Sequence, residues 1–297
     1  MAKIIKNFGN HHGHIHLGGK GRISMIGISY HAGGMKDLPL QQVITILSEV
    51  GYDAIEMMCG PEAHIPSGEV TDNLLKEVKT MTTDHGLEVS VINPFTGKGL
   101  YHLALEDKQS AIDHYALLQD VAVALNAHGV NFLTGYGGDK GDAFAWKLLV
   151  DVLKPICRRA EGLGITMNIH NHEATTIDSS PKVTLLIEHV ESDSLKALND
   201  ITNFYHLGED IAEVTEKLGP LTAHCHVKGV TGMYPYSTFL IPGEAGDELD
   251  FRTFAESLGK VGYEKYISVE TFPHMRMEKA QIAYDMMAGT LKELGIR

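Results

Sequence analysis

Two short segments carry ionisable side chains whose spacing suits chemistry. One is HNHE at 170–173, and the other is HCHVK at 224–228. In an extended strand, residues two apart point to the same side, so both histidines and the lysine of the second segment share a face, while Cys225 takes the other. Imidazole and amine groups aligned in this way suit metal binding and proton transfer.

Acidic residues end two further apolar runs. LKALND (195–200) ends at Asp200, and KYISVE (265–270) ends at Glu270. If these runs lie beside the segment that contains His226, two carboxylates and an imidazole converge on one point. That set suits a divalent cation such as Mn²⁺, Mg²⁺, Co²⁺ or Zn²⁺. Without a cation, clustered charges of mostly one sign would repel one another.

Short apolar runs alternate with longer amphipathic segments along the chain, which is the pattern of a parallel sheet with crossover helices. The runs predict strands at 25–29, 54–58, 87–92, 131–135, 165–170, 195–200, 221–227 and 265–270. Apolar residues at three- and four-residue spacing predict helices at 38–50, 70–85, 106–128, 142–163, 180–190, 210–218, 250–261 and 278–294. We predict a single (β/α)8 barrel, with an open doubly wound sheet as the alternative. No GxGxxG follows the first run, which weakens that alternative.

The chain is predicted to hold one domain, at 25–297. The segment before it, 1–24, includes HHGHIH and several glycines but has no apolar periodicity. We interpret it as a tag-like or mobile His-rich N-terminal segment. Glycines that are expected to close the preceding helices stand at Gly51, Gly86, Gly129, Gly164 and Gly262.

Charge and cysteine content narrow the setting of the protein. With 25 basic and 38 acidic residues, the net charge is −13, which repels phosphate backbones and anionic membranes. No run reaches the roughly 18 apolar residues of a membrane span, and the first residues lack the apolar stretch of a secretory signal. Three cysteines without a CxxC pair fit a reduced compartment. We therefore expect a cytoplasmic protein without nucleic-acid or membrane partners.

Taken together, five segments resemble the xylose isomerase-like, or sugar phosphate isomerase/epimerase, superfamily of TIM barrels. They are IHNHE (169–173), NDITNFYHLGED (199–210), HCHVKG (224–229), IPGEAGDELDF (241–251) and GYEKYISVET (262–271). The resemblance implies that Asp200, His226 and Glu270 bind one divalent metal ion, for which we expect Mn²⁺, with Mg²⁺, Co²⁺ and Zn²⁺ as alternatives.

The chain departs from the superfamily at two places. The usual first ligand on the fifth strand is a Glu just before Asn-His, and His170 stands there instead. Glu173 could supply the missing carboxylate, so His170 and Glu173 both remain candidates for the fourth ligand. In addition, Lys228 is followed by Gly229, where the superfamily often has Asp.

The resemblance implies a sugar isomerase or epimerase that acts on a ketose or keto-polyol through an enediolate. A lyase or dehydratase, similar to inosose dehydratases or to enzymes that cleave C-glycosides, is the alternative because it shares that intermediate. An abasic-site endonuclease and a non-catalytic sugar-binding barrel are weaker alternatives. The expected partner is a small sugar or polyol, and we expect a homo-oligomer or hetero-oligomer.

Further roles follow for residues near the strand ends. The residues that we assign to catalysis are His172, Glu173, Glu270 and Lys228. The residues that we expect to bind substrate are His170, His224, Glu56 and Glu244. The segment 229–250, rich in glycine, is expected to act as a lid, with an oligomer contact as the alternative.

Overall fold

The computed structural model describes residues 25–137, 141–270 and 277–297. The eight barrel strands are β1 (Gly27–His31), β2 (Ala54–Gly60), β4 (Glu88–Pro94), β5 (Gly129–Leu133), β6 (Thr166–His170), β7 (Leu195–Asp200), β8 (Thr222–Val227) and β11 (Tyr266–Val269). They are parallel, and β1 pairs with both β2 and β11, which closes the barrel. The predicted single (β/α)8 barrel is therefore confirmed. The N-terminal segment 1–24 lies outside the described residues.

Three short strands lie outside the barrel wall. One of them, β3 (Ile65–Pro66), pairs with the end of β2. The other two, β9 (Gly229–Thr231) and β10 (Thr238–Leu240), form an antiparallel hairpin. The segment 229–250, predicted as a glycine-rich loop, thus contains ordered strands.

The helices follow the predicted alternation. They are α1 (Leu40–Val50), α2 (Asp72–Asp84), α3 (Leu100–Glu106), α4 (Lys108–Ala124), α5 (Asp142–Leu163), α6 (Ser180–Val190), α7 (Ile201–His206), α8 (Ile211–Leu218), α9 (Phe251–Lys260) and α10 (Met277–Glu293). The short helices α3 and α7 were not predicted. Asp107 separates α3 from α4, because its carboxylate accepts a hydrogen bond from the Ser110 amide at 2.6 Å and caps α4. None of the described helices is long and apolar enough to cross a membrane.

One of the five predicted helix-closing glycines has a different role. Gly51, Gly86, Gly164 and Gly262 have positive φ angles, as expected for left-handed helix ends. Gly129 instead begins β5, and the left-handed residue after α4 is Asn126, with φ 60°. A side chain at 129 would overlap Thr166 on β6, so close strand contact explains this glycine.

Side-chain alternation divides the barrel wall into an apolar outside and a polar inside. Inside, the Ser29 and Ser90 hydroxyls are 2.9 Å apart, and Asn168 Nδ2 donates to Asn131 Oδ1 at 2.9 Å. Alternate residues are apolar and fully buried, for example Ile28, Val130, Met167 and Ile267. The polar interior allows ionised side chains to be held within the barrel.

Close backbone packing at the end of β2 is open to a direct test. A Cβ atom at Gly60 would overlap the Phe95 carbonyl oxygen. Because the backbone must shift to relieve this overlap, we expect Gly60→Ala to lower the free energy of unfolding by about 2 kcal/mol in urea titrations. Gly68→Ala is the matched control, since no heavy atom lies within 4 Å of its added Cβ. Equal unfolding free energies for the two variants would contradict the close approach.

Candidate active site

Four possible metal ligands meet at the carboxyl ends of neighbouring strands. His170 ends β6, Asp200 ends β7, His226 lies near the end of β8, and Glu270 follows β11. Their ligand atoms all lie within 4.8 Å of one another. His170 Nε2 is 2.9 Å from Asp200 Oδ2, and His226 Nδ1 is 3.3 Å from Glu270 Oε2. We call these residues the four-residue cluster.

Asp200 is oriented by the corner between β7 and α7. Its Oδ1 accepts a hydrogen bond from the Asn203 amide at 3.2 Å, so the carboxylate caps α7. Asn203 Nδ2 donates to Asp200 Oδ2 at 2.9 Å, and Asn171 Nδ2 donates to the Asp200 carbonyl at 3.2 Å. The sequence did not assign these two asparagines a role. The only local signal was the Asp-x-x-Asn spacing at the end of a predicted strand.

Lys228 places a positive charge between the two carboxylates of the cluster. Its Nζ is 2.6 Å from Glu270 Oε2 and also forms an ion pair with Asp200. Burial opposes the charge, but the two carboxylates outweigh it and raise the pKa of Lys228 above its ordinary value. The ammonium is therefore a permanent counter-charge, and a metal ion would share the same carboxylate oxygens.

The pKa shifts give the four cluster residues different charges. Burial opposes ionisation of Asp200, yet Lys228 and His170 outweigh it and lower the pKa of Asp200 to about 2. Glu270 is likewise held well below its usual pKa, against burial, by Lys228 and His226. Burial lowers the pKa of His170, which keeps its imidazole neutral and its lone pair available. For His226, the Glu56 and Glu270 carboxylates overcome burial and raise the pKa to about 10, so a metal ion at this site would displace the proton on Nδ1 and take over its positive charge.

Glu56 and His224, which were predicted to bind substrate, lie beneath the cluster. Both side chains are fully buried. Glu56 Oε2 is 3.0 Å from His224 Nε2 and 2.7 Å from His226 Nε2. Both are thus engaged with one another and with His226 inside the barrel, and their contact with substrate stays a prediction.

The other fourth-ligand candidate, Glu173, lies outside the four-residue cluster. Its Oε2 is 3.0 Å from His172 Nδ1 and 3.5 Å from His206 Nε2. His206 lies on α7 and was missed because this short helix was not predicted. Of the two candidates for the fourth ligand, the geometry favours His170.

The β9–β10 hairpin brings Phe239 beside the cluster, against Lys228 and His206. The Phe239 ring centroid is 5.4 Å from Lys228 Nζ and 5.1 Å from the His206 ring centroid. Glu244 accepts a hydrogen bond from the Ile241 amide at 3.1 Å within its own loop, and its role in substrate binding stays a prediction. The structure therefore brings an aromatic ring to this site and leaves Glu244 in a turn.

The donors of the cluster fit a divalent metal ion. His226 Nδ1 is buried and has no hydrogen-bond partner among the described residues, and it points at Glu270. Two imidazoles and two carboxylates are the ligand types that Mn²⁺, Co²⁺ and Zn²⁺ accept. Ligands bound at about 2.1 Å lie roughly 3 to 4 Å from one another. The 2.9 and 3.3 Å separations within the cluster are close to that range.

The fold and the site place the chain in a known class. A profile of the xylose isomerase-like TIM barrel family matches residues 44–290, so the chain belongs to that family. The chain is 25% identical over 245 residues to fructoselysine 3-epimerase of Escherichia coli O157:H7, which covers 80% of this chain and 87% of that one.

Two further comparisons extend this result. The chain is 24% identical over 140 residues to inosose dehydratase of Clostridium beijerinckii, which covers 42% of this chain and 46% of that one. A crystal structure of the IolI protein with a bound zinc atom has the same fold, with a TM-score of 0.76 at 16% identity over 90% of this chain and 99% of that one. With an epimerase and a dehydratase among its relatives, an enzyme that acts on sugars is supported.

The choice between His170 and Glu173 can be tested by metal titration. We expect His170→Ala to weaken Mn²⁺ binding by at least about 10-fold, since even residues behind a ligand contribute that much. Glu173→Ala should bind within about twofold of wild type. Isothermal titration calorimetry measures both, with His11, His12, His14 and His16 replaced by Ala in every protein so that the N-terminal histidines do not contribute. The reverse order of effects would identify Glu173 as the ligand.

Proposed function

We propose that this protein is a divalent-metal-dependent epimerase or isomerase of a ketose or keto-polyol. The observation that carries the proposal is the four-residue cluster at the carboxyl end of the barrel, where active sites of this fold lie. The similarity of the chain to a fructoselysine 3-epimerase supports the same function. A small sugar or polyol is the substrate, and the protein acts without nucleic acid.

His170, Asp200, His226 and Glu270 would hold the metal ion. When bound, a divalent ion supplies Lewis-acid polarisation of a substrate carbonyl and stabilises negative charge on the adjacent oxygens. Mn²⁺ is the ion that we expect, because the donor set mixes hard carboxylates with imidazoles. A zinc atom in the structurally similar IolI protein keeps Zn²⁺ as the alternative.

Proton transfer is assigned to side chains in the cluster and next to it. Glu270 is the one cluster carboxylate with an exposed fraction, 22% of its side chain, so it can reach a substrate C–H bond. His172 is 35% exposed and is backed by Glu173, which provides a second acid–base group. We assign to Lys228, whose Nζ lies 2.6 Å from Glu270 Oε2, the donation of a hydrogen bond to a developing oxyanion. Removal of the proton by one group and its return by another on the opposite face would invert the carbon.

A dehydratase is the second candidate, favoured by the similarity to inosose dehydratase. Both reactions begin with removal of a proton beside a carbonyl. They diverge when the enediolate is either reprotonated or expels a β-hydroxyl group. The same residues therefore serve both, and product analysis separates them.

Metal dependence and reaction type can be measured together in D₂O. Fructoselysine, unsubstituted ketoses and inosose form the test panel, with the products examined by NMR. We expect Mn²⁺-loaded protein to introduce deuterium at the carbon beside the carbonyl without loss of mass as water. EDTA should abolish exchange, and Mn²⁺ or Co²⁺ should restore it. Asp200→Asn should reduce the rate more than about 100-fold, because changes behind a ligand already cost about 10- to 100-fold.

Three outcomes of this experiment decide among the alternatives. Full exchange in protein verified as metal-free by elemental analysis would contradict metal dependence. Loss of water from the substrate would favour the dehydratase. Metal binding without any exchange or water loss across the panel would favour a sugar-binding barrel.

Closure of the segment 229–250 over the substrate is a separate prediction. Phe239 already lies beside Lys228, and the hairpin tip carries Tyr236, which is 90% exposed. We expect a bound ketose to increase hydrogen–deuterium exchange protection of this segment, because closure excludes water from the enediolate. Protection that ignores ligand but rises with protein concentration would identify an oligomer contact instead.

A further inference from the structure

Glu56 is a carboxylate in the centre of the barrel with no access to solvent. The pairing of β2 with β4 is irregular at this point, since the register shifts between Ile55 and Met57. Such irregularities redirect a side chain. Here the side chain points inward, into the space between β1, β5 and β8.

The two oxygens of Glu56 have different partners. Oε1 accepts a hydrogen bond from Asn131 Nδ2 at 2.9 Å and lies 3.8 Å from His31 Nε2. Oε2 lies 2.7 Å from His226 Nε2 and 3.0 Å from His224 Nε2. Asn131 itself accepts from Asn168, so Glu56 is fixed from β5 as well as from β8.

The His226 imidazole therefore spans two carboxylates. Nε2 faces Glu56, whereas Nδ1 faces the Glu270 carboxylate at 3.3 Å. A ring nitrogen that donates its proton to a carboxylate leaves the opposite nitrogen free to bind a cation. The position of the Nε2 proton thus decides which nitrogen is available to the four-residue cluster.

We infer that Glu56 is a positioning residue, which holds the Nε2 proton of His226 so that Nδ1 is presented to the metal ion. The inference rests on the proposed metal site and deepens it. Glu56 does not touch the ion or the substrate. It sets the tautomer and the ring orientation of the ligand that does.

A carboxylate suits this task better than an amide. An ionised carboxylate accepts only, and its Oε2 serves two imidazole nitrogens at once. A glutamine at this position would offer either one oxygen or two N–H donors to the same pair. If the amide nitrogen faced His226, Nε2 would have to accept, and the proton would move to Nδ1.

Metal affinity of three variants tests the inference. The full chain is used, with His11, His12, His14 and His16 replaced by Ala throughout, and Mn²⁺ binding is measured by isothermal titration calorimetry. We expect Glu56→Gln to weaken binding about 10- to 100-fold. Glu56→Asp keeps the charge but withdraws the carboxylate by one carbon, so it should weaken binding as well. Ser268→Ala is the matched control, because it removes a hydroxyl that lies 3.1 Å from His224 Nε2 in the same interior and leaves the Glu56–His226 contact in place.

The outcomes separate this inference from the proposed function. The reference protein has only the four N-terminal histidines replaced. If it binds no Mn²⁺, or if Asp200→Asn does not remove the binding, the proposed function fails. If that site is present and Glu56→Gln or Glu56→Asp binds within twofold of it, the inference about Glu56 is overturned. An equal loss in Ser268→Ala overturns it too, since general disturbance of the interior would then explain the effect.

A measurement on unsubstituted barrel residues does not depend on how the variants fold. In ¹⁵N-histidine NMR of the Zn²⁺-loaded protein, we expect His226 to keep a proton on Nε2 and none on Nδ1. A proton on Nδ1 with a bare Nε2 would overturn the inference. The Nε2 proton should also be strongly deshielded, as a proton shared with a carboxylate is, and a metal ion on Nδ1 would not cause this by itself.

Discussion

Charge balance inside the barrel is the constraint on which the site depends. Glu56 and Asp200 are fully buried, and Glu270 is mostly so, where water solvates an ion poorly. Lys228 and His226 lie between these carboxylates and provide the matching charge. Removal of one partner from a buried pair costs about 3 to 5 kcal/mol because the other charge is left alone. The interior is therefore a set of mutually dependent groups.

The barrel wall makes that interior possible. Closure through β1 leaves no strand edge exposed in the wall, and every second residue can point inward without breaking the apolar layer outside. Serine and asparagine pairs fill the inner space nearest the amino ends. Ionised groups follow at the carboxyl ends, where the strands open and a ligand can approach. Along the barrel axis, hydrogen-bonded neutral side chains thus give way to ionised groups.

The mouth of the barrel is lined by the segments that follow the barrel strands. The helix α7 begins directly at Asp200, so one carboxylate serves both as helix cap and as candidate ligand. The β9–β10 hairpin places Phe239 against Lys228 and His206. Glu173 Oε2 lies 3.5 Å from the same His206 and 3.0 Å from His172. The proposed sugar chemistry needs charged groups beneath the substrate and an apolar surface above it. The strand ends provide the first, and the β9–β10 hairpin provides the second.

Some of this architecture was determined by the sequence alone. Alternation of apolar runs with amphipathic segments predicted the strands and the barrel, because side-chain periodicity is a local property of the chain. The i, i+2 rule placed His224, His226 and Lys228 on one face, and strand ends located Asp200 and Glu270. Only the tertiary structure placed His170, and not Glu173, in the four-residue cluster. It also buried Glu56 beneath His226 and brought Asn203 and His206 close to the site. These outcomes depend on register between distant strands and on where a helix starts, and neither is encoded in the spacing of nearby residues.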